Sequence, residues 1–118
     1  ISTFKGDYAE AERLHKASLA INREIGDRQG ESASLGNIGN IAIKRGDYDE
    51  AERLHKASLA ISREIGDRLN EFRCLHDLGI VAYNRGDYDD AERLFAASDV
   101  IRLELGLPIE EDNEGDND

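Results

Sequence analysis

The sequence has no tryptophan, no methionine, one proline (Pro108) and one cysteine (Cys74). A lone cysteine rules out an internal disulfide framework and any usual cysteine-based zinc site. No apolar run approaches the roughly 18 residues of a membrane-spanning helix. The opening residues, Ile1 to Gly6, lack the basic stretch and the apolar core of a signal peptide. Bases are scarce: 15 Lys and Arg stand against 26 Asp and Glu, a formal charge of −11. That balance argues against nucleic acid and anionic membrane surfaces, both of which call for a basic patch. What remains is one soluble, cytoplasmic domain, as a length of 118 residues suggests.

The charge is uneven. The nine residues Glu110 to Asp118 carry six acids and no base. Such a run has too few apolar side chains to fold, and a solvated, disordered tail is expected over 107–118. Its composition is reminiscent of a calcium loop, but the ligand spacing and the position of the glutamate are wrong for an EF-hand.

Self-comparison carries the fold. Gly6-Asp7-Tyr8 recurs as Gly46-Asp47-Tyr48 and Gly86-Asp87-Tyr88, a period of 40 at both steps. Residues 6–28 and 46–68 match at 21 of 23 positions, differing only at Ala9/Asp49 and Asn22/Ser62. Residues 29–45 and 69–85 match at 5 of 17. One half of each repeat is nearly copied; the other has diverged.

Both halves have helical spacing. Ala51, Leu54, His55, Ser58, Ile61, Ser62 and Ile65 fall at steps of three and four and form one stripe. Gly66 suits the left-handed residue that ends a helix, and Asp67 suits the N-cap of the next, with Glu71 in its first turn. Leu75, Leu78, Gly79, Ala82 and Tyr83 form the stripe of the diverged half. The Gly-Asp-Tyr triplets supply the tight turns.

Two helices per repeat in tandem describe an all-α solenoid. The sequence here resembles the tetratricopeptide repeat family, and the resemblance implies a right-handed α-solenoid. Its second repeat gives Ile38-Gly39, Gly46-Asp47-Tyr48, Ala51, His55 and Ser58; its third gives Leu78-Gly79, Gly86-Asp87-Tyr88, Ala91, Phe95 and Ser98. The first gives only Gly6-Asp7-Tyr8, Ala11, His15 and Ser18. The 40-residue period is similar to that of Pins-type polarity adaptors and kinesin light chains. The expected divisions are a solenoid over 1–106, made of a partial repeat (1–28) and two full ones (29–68 and 69–106). Few residues precede Gly6, so a segment of a longer array is expected. The stripe Leu14, Ile21 and Ile25 is then left without a partner helix and open to self-association.

The resemblance implies a protein-interaction scaffold whose concave groove is lined by the first helix of each repeat. Carried over by register, the groove positions are Asn37, Asn40, Ile43 and Lys44 in the second repeat and Arg73, His76, Ile80, Tyr83 and Asn84 in the third. Ala33, Gly36 and Asp77 accompany them. Asparagine offers a peptide backbone both a donor and an acceptor. The family's carboxylate clamp needs Asn and Lys on successive repeats; Asn40 and Lys44 fit once, and Ile80 and Asn84 do not repeat them. Arg73 and Lys44 leave the groove some positive potential, suited to an acidic or amphipathic peptide. The divergence of the first helices fits either the reading of different ligand parts or drift after duplication.

No nucleophile–base pair, phosphate loop or paired metal ligand can be assembled, so neither catalysis nor a cofactor is expected. Phe95 occupies the position of His15 and His55, which marks those histidines as packing residues. Cys74 beside Leu75 reads as a small buried residue, and Tyr8, Tyr48 and Tyr88 as packing at the turns.

Overall fold

The computed structural model of the chain describes residues 5–108. Five α-helices make up the described fold, with no strand: α1 (Lys5–Ile25), α2 (Arg28–Lys44), α3 (Tyr48–Ile65), α4 (Arg68–Asn84) and α5 (Tyr88–Leu105). Residues 1–4 and the acidic run Glu110–Asp118, with its expected disorder, lie outside the described residues.

The helix ends are chemically explicit. Gly66 takes φ 75°, and its N–H bonds the Ser62 carbonyl, the left-handed cap that only glycine adopts without strain. Asp67 follows as N-cap and accepts from the Asn70 N–H at 3.1 Å. Asp27 does the same for Gly30 at 2.9 Å. At the other turn, Gly46 and Asp47 donate their N–H groups to Ile43 and Ala42 carbonyls at 2.9 and 2.8 Å. Gly6-Asp7, expected to form that same turn, instead lies inside α1. The turn at Gly46-Asp47 is bonded to the helix before it, and Gly6-Asp7 has no described helix before it to bond.

Each helix packs on its neighbours in sequence, and among the described helices α2 and α4 are the only non-sequential pair in contact. The first helices of the repeats thus touch, while α1, α3 and α5 fan apart. A layer that is tight on one side and splayed on the other is curved, and α2 and α4 line its inner side.

The core is built from copied positions. Leu54 and Ile61 of α3 bury against Leu35 and Ile38 of α2. Leu59, one stripe over, packs on Cys74, Leu75 and Leu78 of α4 with Ile101 of α5. In α5 the residue matching Leu59 is Asp99, which pairs with Arg102 at 3.3 Å. At that one position α5 carries a charge where α3 is apolar, whereas at the position of Arg63 it carries Leu103, which is exposed.

Arginines staple the repeats at a second set of copied positions. Glu71, 7% exposed, accepts from Arg63 Nε at 3.0 Å and Arg68 Nη1 at 2.8 Å, and Arg68 also reaches Glu104. Forty residues earlier, Glu31 binds Arg23 and Arg28, and Arg28 reaches Glu64. Burial opposes ionisation of Glu31 and Glu71, but the paired guanidiniums outweigh it and hold both carboxyls below their ordinary range.

Candidate functional site

The contact between α2 and α4 opens a cleft on the inner side. Ala33, Gly36, Asn37 and Asn40 line it from α2, and Asn70, Arg73, Cys74 and Asp77 from α4, around a cavity of about 90 Å³. His55 of α3 forms the floor. Its side chain is 1% exposed, and neither ring nitrogen has a hydrogen-bond partner among the described residues. Its Nδ1 faces Asp77 Oδ2 at 3.9 Å, too far for a direct hydrogen bond. Burial pushes the imidazole pKa down, and the Asp77 charge partly opposes this.

His55 sits there because Gly39 makes room. A Cβ at Gly39 would stand 2.7 Å from His55 Nε2 and 2.8 Å from its Cδ2. Phe95 lies over Gly79 in the same way. The packing role expected of this position holds in both repeats.

Beside the cleft is a buried hydroxyl cluster that the sequence reading did not find. The Asn70 amide donates to Ser32, Ser58 and Ser62 Oγ at 2.7, 3.1 and 2.6 Å, sharing its two hydrogens among them. Ser58 donates to the Ser32 carbonyl at 2.8 Å, and the Cys74 thiol donates to Ser58 at 3.2 Å. The available signal was that Ser58 and Ser62 lie on an otherwise apolar stripe, where buried hydroxyls need partners. Burial, with the nearby Asp77, Asp67 and Glu71, pushes the Cys74 thiol up to about 11 against the Ser58 hydrogen bond. It is a protonated core residue at neutral pH and no nucleophile.

The groove positions expected from the sequence separate into three groups. Asn37, Asn40 and Arg73 meet at the cleft, with Lys44 exposed one turn beyond Asn40 on the same stripe. Ile43 and Tyr83 pack at the turns, Ile43 near Tyr48 and Tyr83 edge-on to Tyr88 at 5.1 Å between centroids. Asn84 spends its amide on the Ile80 carbonyl at 2.9 Å, and Ile80 is half-buried. His76 lies beside the cleft rather than in it, lining a neighbouring hollow with Phe72, Arg73 and Asp77, its ring 5.4 Å from that of Phe95.

The charges distinguish this face. Among the described lysine and arginine side chains, only Lys44 and Arg73 have no described carboxylate within 4.0 Å. A larger hollow of about 220 Å³ lies between α3 and α5. Its cations Lys56, Arg85 and Arg93 are all paired, with Glu52, Asp49 and Asp90. No group of His, Cys, Asp and Glu among the described residues could hold a metal ion. No described helix is long and apolar enough to cross a membrane.

The family model for the tetratricopeptide repeat matches residues 3–64 and again residues 30–98. Among curated proteins none matches the chain significantly.

Proposed function

The chain belongs to the tetratricopeptide repeat family, whose repeats generally mediate protein–protein interactions, and from that premise we propose that it is an adaptor holding an extended acidic peptide across α2 and α4. Asn37 and Asn40 hydrogen-bond the peptide backbone, and Lys44 and Arg73 meet its carboxylates. One observation carries this reading: the two unpaired described cations both belong to the inner helices of an otherwise ion-paired, acidic chain. An unpaired cation keeps its full attraction for a ligand, whereas a paired one must first give up its partner.

The test is selection of displayed random heptapeptides on the immobilised chain, followed by fluorescence anisotropy with the selected sequences. Acidic peptides are expected. Arg73→Ala and Asn40→Ala should each weaken them about tenfold, the loss of one charge-assisted or one well-placed hydrogen bond, with helicity unchanged. Binding that ignores both substitutions would move the site off this cleft.

Self-association is a second reading, favoured by a different observation. Leu14, Ile21 and Ile25 are 52%, 56% and 68% exposed, although Leu14 and Ile21 are copies of the buried Leu54 and Ile61. A second copy covering this stripe would remove it from water. Light scattering from micromolar to millimolar chain should then show a dimer that Ile21→Asp dissolves; a strict monomer throughout would end this reading.

A further inference from the structure

We propose that the exposed face of α5 through Ala96, Val100 and Leu103 is a docking seam for an amphipathic helix of a partner protein that carries lysine or arginine along its flanks. The seam lies on a helix that does not line the cleft, so the inference stands apart from the peptide groove.

Comparison of the repeats exposes the seam. On α1 and α3 the same face reads Lys16, Ala20, Arg23 and Lys56, Ala60, Arg63. Its cations are spent inside the chain. Lys16 and Lys56 pair with Glu12 and Glu52, and Arg23 and Arg63 with Glu31 and Glu71, all at 3.0 Å. On α5 both cations are gone and the central alanine is enlarged, giving Ala96, Val100 and Leu103. All three are exposed, Val100 by 57% and Leu103 by 69%. The fold does not call for the change, since α3 is built equally well with lysine and arginine there. Covering the two large side chains removes apolar surface from water.

The spacing says what kind of partner fits. Ala96, Val100 and Leu103 follow each other at steps of four and three, and Leu107 takes the next step of four. That is the a/d rhythm of one helix laid along another. An extended peptide, with its period of two, does not track it.

The flanks say which helix. Glu92 and Asp99 run along one side of the seam and Glu104 along the other, and α5 as a whole carries five acids against two bases. Glu92 matches Glu52 but has lost the lysine, and no described cation stands within 4.0 Å of it. A lysine of the docked helix would meet Glu92 as Lys56 meets Glu52. A second copy of α5 is the wrong occupant. Paired parallel, it sets Asp99 against Glu104 of the other copy; paired antiparallel, it sets Asp99 against Asp99. Like charges side by side oppose both. The acidic run Glu110–Asp118 has the same wrong sign.

The experiment titrates the intact chain into a fluorescent synthetic helix of about four heptads, with leucine at a and d and lysine at e and g, whose own like charges keep it from pairing with itself. One control has glutamate at e and g; the other is a scrambled peptide of the lysine composition. Saturable binding of the lysine helix is expected, with both controls at least about tenfold weaker. Val100→Ala with Leu103→Ala leaves charge and helicity unchanged and should weaken the lysine helix at least about tenfold. Glu92→Gln should weaken it up to about fivefold. Equal binding of the scrambled peptide reduces the contact to bulk charge and overturns the seam. So does a lysine helix that ignores the Val100 and Leu103 changes, or one that does not bind at all. Equal binding of the glutamate helix overturns the basic flanks. Light scattering that shows an oligomer of the chain dissolved by the same double variant assigns the seam to a second copy and overturns the partner helix.

Discussion

Gly39→Ala is expected to cost about 2 kcal/mol, and to lower the melting temperature by roughly 10 °C, although alanine is the better helix former. Two opposed terms set the size. Alanine in place of a mid-helix glycine contributes about 1 kcal/mol of helix propensity. Against it, the added methyl would stand 2.7–2.8 Å from the His55 ring. Overpacking of this kind costs about 1–3 kcal/mol, and occasionally more. The upper part of that range applies because the ring is 1% exposed and packed beneath α2 and α4. Gly79→Ala is the internal control. Its methyl would come as close to Phe95, at 2.6 Å, but Phe95 is only half-buried and can turn outward. That variant should lose less than about 1 kcal/mol. Urea unfolding of both proteins separates the cases. Equal stability of Gly39→Ala and the parent would show that the ring is not wedged by the helix crossing.

Much of this architecture was legible in the sequence because the repeat states it more than once. Gly66 and Asp67 announce a helix end and a helix start through local chemistry, and both appear at those places. Ile38-Gly39 facing His55 and Leu78-Gly79 facing Phe95 could be paired because the spacing is identical in two copies. The Arg–Glu staples share the same virtue: Arg28, Glu31 and Glu64 are spaced as Arg68, Glu71 and Glu104 are, a signal present and unused.

The site was less legible. Register separates an inner face from an outer one, but it does not say which neighbour a side chain meets on that face. Asn37 and Asn84 both sit at groove positions by spacing. One lines the cleft, and the other bonds its own helix. His76 corresponds to Gly36, and each faces the helix that follows its own, Ser58 of α3 for Gly36 and Phe95 of α5 for His76, yet of the two only Gly36 lines the cleft. Such distinctions depend on which helix comes next, a tertiary fact with no local signature.

The two differences within the copied halves lead to the second large prediction. Ala9/Asp49 is minor: Asp49 pairs with Arg85 while 97% exposed, and such exposed pairs contribute little. Asn22/Ser62 matters more, because its partner position also differs. Where Ser62 stands, the facing helix offers Asn70, whose amide binds Ser62 at 2.6 Å. Where Asn22 stands, the facing helix offers Gly30, and the Asn22 amide donates to Ser34 Oγ at 3.1 Å. A Cβ at Gly30 would lie 2.7 Å from Asn22 Oδ1 and 2.6 Å from the capping Asp27. Each junction therefore holds one asparagine amide, supplied from opposite helices. Gly30→Asn alone should cost about 2 kcal/mol, since two amides then compete for one space. Asn22→Ser alone should cost about 1 kcal/mol through the lost hydrogen bond. The double variant recreates the Ser62/Asn70 arrangement and should recover most of the loss, a coupling of at least about 1 kcal/mol in a double-mutant cycle. Losses that add to within about 0.5 kcal/mol would mean the positions are independent. The coupling bears on function as well. It assigns part of the divergence between α2 and α4, at positions 30 and 70, to packing. The differences that face the cleft, Asn37 against Asp77 among them, are not accounted for by this coupling, and they are where the proposed peptide contacts fall.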